Sequence, residues 1–211
     1  MSKAMGTIVL VFWPAMAWSQ GVTIAALGDS LTQGYGLPAE QGFVPQLERW
    51  LQDQGQDVSV INAGVSGDTT AGGLSRVDWT LTPEVDALIV TLGGNDLLRG
   101  IAPEVSRANL DGILRAAKAA QVDVLLVGMQ APGNYGPQYK AAFDRMYPDL
   151  AAEYDTLLAE SFFEGLGGAG TDPGSLGDFM QADGIHPNAL GVARIVEGLG
   201  PVVLDLVDRA E

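Results

Sequence analysis

The stretch Val22-Thr23-Ile24-Ala25-Ala26-Leu27-Gly28-Asp29-Ser30-Leu31 reads as an apolar run that stops at a glycine and passes into a polar helix start. An apolar run without polar alternation suits a strand covered on both faces, and such strands belong to parallel sheets flanked by helices. Outward from this stretch the same pattern recurs. Val58–Ile61, Ala87–Leu92 and Val122–Val127 are three further strand candidates. Between and after them lie longer stretches with helical spacing. Phe43–Gln54 sets Phe43, Leu47, Trp50 and Leu51 on one stripe, with Gly55 as its stop. Pro103–Ala120 brings Val105, Leu110, Ile113, Leu114 and Ala117 near one face, and Pro103 suits a first turn. A helix is expected from about Gln138 to Ala159, kinked near Pro148. Another spans Ala189–Val207 and is weakened around Gly198–Pro201. Strand–helix alternation predicts an α/β fold, a three-layer αβα sandwich around a central parallel sheet. The loops after Leu27, Ile61, Leu92 and Val127 should then meet at one rim, where such folds bind ligands.

Composition narrows the chemistry. Of 211 residues, 47% are hydrophobic and 18% charged, enough to bury a core and too apolar for a disordered chain. A net charge of −15, from 26 acidic and 11 basic residues, sets a field that repels nucleic-acid backbones and anionic lipid. There is no Cys, so disulfides, thiolate metal sites and cysteine nucleophiles are excluded. The single histidine, His186, rules out a multi-histidine metal centre. At the amino end, Lys3 precedes an uncharged run to Trp18, followed by small residues at Ala15, Ala17 and Ser19. This is the layout of a secretory signal peptide over residues 1–19, leaving one domain over 20–211 and predicting a periplasmic or secreted protein. The run is too short to span a bilayer and Pro14 interrupts it, so no stable membrane insertion is expected.

Four short constellations occupy the expected rim. Gly28-Asp29-Ser30-Leu31 follows the first strand and offers a serine hydroxyl at a turn, though Asp and Ser also suit a plain helix cap. Asn62-Ala-Gly-Val-Ser-Gly67-Asp-Thr-Thr70 follows the second strand. A glycine-containing turn there can point backbone N–H groups outward toward an oxyanion, and Asp68 or Thr69 can cap the next helix. Leu92-Gly-Gly-Asn95-Asp96 follows the third strand and carries an uncharged amide donor. Asp183-Gly-Ile-His186-Pro187-Asn188 precedes the last helix. There, Pro187 keeps His186 in a loop, and a turn at Gly184 can fold Asp183 against one imidazole nitrogen. Singly each is weak. Together they supply a nucleophile, a base, an orienting carboxylate and oxyanion donors.

Those four blocks, in that order, resemble the SGNH (GDSL) hydrolases. Gly28-Asp-Ser-Leu-Thr-Gln-Gly-Tyr-Gly36, Leu92-Gly-Gly-Asn-Asp-Leu-Leu-Arg-Gly100 and Ala131-Pro-Gly-Asn-Tyr-Gly136 resemble, more narrowly, the secreted bacterial arylesterase, acyl-CoA thioesterase and lysophospholipase group. The resemblance implies a flavodoxin-like sandwich and no metal or organic cofactor. It implies attack by Ser30, base catalysis by His186 and orientation by Asp183. The oxyanion would be held by the Ser30 and Gly67 N–H groups and the Asn95 amide. Met129–Tyr139, with Pro132 and Tyr135, resembles the loop lining the acyl groove of that group. Leu31, Leu97 and Ile185 are apolar candidates for the groove floor, and Asp29 is expected beside the substrate. The expected partner is a small acyl ester or thioester, with the enzyme a monomer. A carbohydrate O-deacetylase and a catalytically silent binding module are the competing readings. The glycine-rich Gly165–Asp178 departs from the group's pattern, and Gly165–Gly177 within it reads as loosely ordered. No Gly-x-Ser-x-Gly elbow surrounds Ser30, so the α/β-hydrolase fold is not assigned.

Overall fold

A computed structural model describes residues 21–167 and 173–211. The expected signal peptide lies outside the described residues. In chain order the main elements are β1 (Val22–Gly28), α1 (Ser30–Gln33), α2 (Phe43–Asp53), β2 (Val58–Gly64), α3 (Thr70–Thr80), β3 (Ala87–Thr91) and α4 (Gly94–Leu98). They continue with α5 (Pro103–Ala120), β4 (Asp123–Val127), α6 (Pro137–Tyr154), β5 (Leu157–Ala159) and α7 (Ala189–Ala210). The strands form one parallel sheet in the order β2-β1-β3-β4-β5. Helices α2 and α7 pack together on one face, and α3, α5 and α6 in succession on the other. This is the three-layer sandwich expected from the strand–helix alternation. Ile24, Leu88, Leu125 and Leu126 are fully excluded from solvent, as continuous apolar strands in a covered sheet should be.

Strand order places the site. The chain leaves β1 toward β2 on one side, then returns across β1 to lay down β3 on the other. The helices after β1 and β3 therefore diverge and open a crevice at the carboxyl ends of these two strands. Gly28, the last residue of β1, is in register with Gly64 of β2 and Thr91 of β3. Three of the four sequence blocks thus emerge side by side.

The structure corrects the sequence expectations at several points. Strand β2 runs on through Gly64, so its loop begins at Val65 rather than Asn62. The helix expected to reach Ala159 ends at Tyr154, where Asp155 takes a left-handed φ of 56° and Leu157–Ala159 forms a fifth strand. An apolar Leu-Leu-Ala continues a helical stripe as readily as it makes a short strand, so the period alone could not separate them. Val105 is 51% exposed. The buried stripe of α5 runs instead through Ser106, Leu110, Ile113, Leu114 and Ala117. Pro148 and Pro201 each lie inside a helix that continues through them. The glycines beside Pro201 serve packing: a Cβ on Gly198 would meet the backbone of Gly165, and one on Gly200 would meet the Trp50 ring. What reads as a weak point is a surface cut to admit two neighbours.

Gly165 has the same role from the other side. It sits in a short 3₁₀ turn, Glu164–Leu166, whose backbone lies against α7, and a Cβ there would strike the Arg194 carbonyl. Its glycine serves close approach rather than looseness. Gly165→Ala should therefore lower unfolding stability by about 1–3 kcal/mol, the usual cost of overpacking a tight contact. Chemical denaturation of the two proteins measures it, and an unchanged midpoint would refute the contact.

Candidate active site

Strand β1 delivers Ser30 to the crevice as the first residue of α1. Asp29 caps that short helix, its Oδ1 accepting the Leu31 N–H at 3.0 Å. His186 faces Ser30 from the loop before α7, with Nε2 2.9 Å from Ser30 Oγ. The other ring nitrogen, Nδ1, lies 2.7 Å from Asp183 Oδ2. Asp183 Oδ1 accepts the backbone N–H groups of Ile185 at 2.9 Å and His186 at 3.0 Å. These bonds from His186 and Ile185 hold the Asp183 carboxyl down at about 2, so it is ionised at any working pH. A carboxylate at Nδ1 places the ring proton there and leaves Nε2 as the acceptor facing the hydroxyl.

The loop carrying this pair is pinned on both sides. Gln181 Nε2 donates to the Tyr35 carbonyl at 2.8 Å and to the Pro187 carbonyl at 3.0 Å. Met180 and Pro187 form an antiparallel bridge. Asn188 caps α7 by accepting from Leu190 and Gly191, while its own amide donates to the Asp178 and Met180 carbonyls. The Tyr35 ring lies 4.7 Å from the His186 ring, tilted by 38°. The ring is braced by a residue of the Gly28–Gly36 stretch to which the sequence reading gave no role.

The donors sit opposite. Residues Val65–Asp68 form a turn closed by the Asp68 N–H on the Val65 carbonyl at 3.0 Å. Gly67 is its third residue, with φ of +83°, the backbone of a type II turn. Among the described residues its N–H finds no acceptor, and Gly67 lines the cavity. The Asn95 amide donates to Asp29 Oδ2 at 3.0 Å, which orients the NH₂ group and leaves its second hydrogen uncommitted. Burial raises the Asp29 carboxyl, against the Leu31 and Asn95 donors that lower it.

These groups share one cavity of about 510 Å³. Leu31, Leu97 and Ile185 line it, as expected, with Leu98, Met129 and Phe163 adding further apolar wall. A carboxylate–imidazole–hydroxyl relay at the mouth of an apolar cavity, with a free backbone N–H and an oriented amide across it, can bind an acyl group and generate an alkoxide beside it. The model of the GDSL-like lipase/acylhydrolase family matches residues 26–194. This chain belongs to that family. It is 42% identical over 203 residues to the esterase TesA of Pseudomonas aeruginosa, covering 96% of each chain. To the thioesterase 1/protease 1/lysophospholipase L1 of Escherichia coli it is 41% identical over 168 residues, 79% of this chain and 76% of that one. A crystal structure of TesA matches with a TM-score of 0.77, covering 87% of this chain and 99% of that one at 42% identity.

Two of the expected substrate contacts fall outside this cavity. Pro132 and Tyr135 are not among the cavity residues. The chain turns away after Gln130: the Ala131 N–H donates to Asp144, Lys140 donates to the Ala131 carbonyl, and Tyr135 packs on Tyr139. Asp29 borders the cavity, but it is 1% exposed and engaged by Leu31 and Asn95, so it orients a donor rather than meeting substrate. Sequence reasoning missed Phe163 and Leu176, which reach the cavity from segments that carry no motif, and gave no role to Tyr35, although it stands in the quoted stretch Gly28–Gly36. It also missed the polar joint beneath the donors. Asp96 is fully buried and accepts from the Thr70 N–H at 2.8 Å, the Thr70 hydroxyl at 2.5 Å and the Ser106 hydroxyl at 2.8 Å. It ties α4 to α3 and α5 one residue after Asn95. Asp96→Ala strands these donors and should cost about 3 kcal/mol of unfolding free energy. A loss under about 1 kcal/mol in urea titration would show that the joint carries no strain-bearing role.

Proposed function

We propose that this family member is a serine esterase or thioesterase in which Ser30, His186 and Asp183 form the catalytic triad. The carrying observation is the relay of 2.9 Å and 2.7 Å contacts at the mouth of the apolar cavity. Ser30 Oγ attacks the acyl carbonyl as Nε2 of His186 takes its proton. The tetrahedral oxyanion is met by the Gly67 N–H, the Ser30 N–H and the free hydrogen of the Asn95 amide. Collapse expels the alcohol or thiol, which receives the proton from His186, and leaves an ester on Ser30. Water then attacks that ester with His186 again as base, restoring the hydroxyl and releasing the acid. Asp183 stays ionised throughout and offsets the charge of the imidazolium.

The names of the relatives, an esterase and a thioesterase/lysophospholipase, support aryl esters, acyl thioesters and lysophospholipids as the substrates to try first. The apolar wall favours an acyl chain over a polar sugar, and the −15 charge favours neutral or zwitterionic esters at low salt. Residues 1–19 would direct export to the periplasm or medium, where the domain acts as a monomer.

Ser30→Ala should abolish turnover of aryl esters from acetyl to octanoyl, and labelling by a fluorophosphonate, with the thermal midpoint nearly unchanged. Near-native turnover in that variant would remove Ser30 from the mechanism. The pH profile follows from Asp183. A carboxyl held near 2 is charged above that value and loses its charge only as pH falls through it, so Asp183 stays a carboxylate across the working pH range. Protonation of Asp183 is then expected to add no break to log kcat/KM above about pH 4. A break there that disappears in Asp183→Asn would mean that this carboxyl titrates in the working range. Asp183→Asn, which removes the charge and frees the tautomer, should lower kcat about 10³–10⁴-fold.

A further inference from the structure

Arg76 lies on α3, outside the cavity, yet its guanidinium reaches three segments that build the site. Nε donates to Asp68 Oδ2 at 2.7 Å, Nη1 to the Ala63 carbonyl at 2.6 Å and Nη2 to the Gly28 carbonyl at 2.8 Å. Gly28 is the last residue of β1, two before Ser30. Ala63 is next to last in β2, and Asp68 closes the turn that holds Gly67. The Gly28 carbonyl also accepts the Val65 N–H at 3.0 Å, so one oxygen serves both the turn and the arginine. Both partners of the Arg76–Asp68 pair are about four-fifths buried, at 22% and 20% side-chain exposure, so the bonds are held with little water competition.

We infer that Arg76 is a positioning residue that fixes the Ser30 turn relative to the Gly67 turn, and thereby the distance between nucleophile and oxyanion donor. The inference rests on the triad reading above. A sheet of two strands already sets this spacing coarsely. The strand ends, however, are where ladder bonds run out, and Gly28 and Ala63 stand there. A planar fork with three donors in fixed directions can hold two carbonyls and a carboxylate at once. An ammonium on a flexible stem holds at most some of them, in no fixed plane. Gly67, with its positive φ and exposed position, has little else to anchor it apart from Arg99, whose Nη2 donates to the Gly67 carbonyl at 2.7 Å. Small misplacement of a donor weakens its bond to the transition state far more than its contact with the bound ester, so the effect should fall on kcat.

The test compares wild type, Arg76→Lys, Arg76→Ala and Ser30→Ala with a neutral aryl ester, each rate divided by the sites titrated with a fluorophosphonate. Expected are a fall in kcat per titrated site of about tenfold for Arg76→Lys and about 10²-fold for Arg76→Ala, with KM moving less than about threefold. Millimolar guanidinium should recover part of the rate in Arg76→Ala and none in wild type. A purely structural arginine would lower the thermal midpoint and the fraction of titratable sites while leaving kcat per site within about twofold of wild type, and that result overturns the inference. Arg76→Lys keeps the charge and serves if the alanine variant does not fold. Turnover surviving in Ser30→Ala would instead overturn the triad reading itself.

Discussion

The contact between His186 and Ser30 joins residues 156 positions apart, and no local preference can make it. It exists because β1 and the start of α7 are both held to one sheet. Parallel pairing of β1 with β2 and β3 brings Gly28, Gly64 and Thr91 level, so the hydroxyl, the turn and the amide leave the sheet at one height. Helix α7, packed against α2 and the sheet, sets where its preceding loop must end. Asn188 ties that loop to the helix, and Gln181 ties it to the segment after α1. Packing energy in the core thus fixes a gap of a few ångströms at the rim, where there is little packing.

Two carboxyl groups near the hydroxyl show how surroundings divide similar side chains. Asp183 is exposed yet held strongly acidic, because two backbone N–H groups and an imidazole favour its charged form. Asp29 is buried and shifted the other way, because desolvation exceeds what Leu31 and Asn95 return. In the proposed mechanism the first balances the charge on the imidazole. The second orients the Asn95 amide from beneath. Their difference lies in burial, which outweighs the donors at Asp29 and is slight at Asp183, and neither shift can be inferred from residue type.

Much of this was legible in the sequence, for identifiable reasons. Covered parallel strands announce themselves as apolar runs, and four of the five did so; Leu157–Ala159 was too short and continued a helical stripe. Ser30, His186 and Asp183 were weak signals singly, since Asp and Ser also suit a helix cap, and stood out because four such blocks fell together at the expected rim. The polar joints were hidden. Ser106 and Thr70 look like ordinary helix residues, and only the fold brings them to Asp96. Pro132 and Tyr135 failed for the opposite reason: their motif is plain, but the direction of the chain after Gln130 depends on Asp144 and Lys140, remote in sequence. Val105 shows that a stripe read from side-chain type can be one position out when a buried serine takes the inner place.

Asp183 and His186 stand on one four-residue turn, with both oxygens of the acid committed to it. The geometry between the acid and the ring is therefore set by contacts local in sequence. Only the link to the hydroxyl crosses between separately anchored parts of the molecule. The relay is hinged at a single place, and that place is where a proton would have to jump.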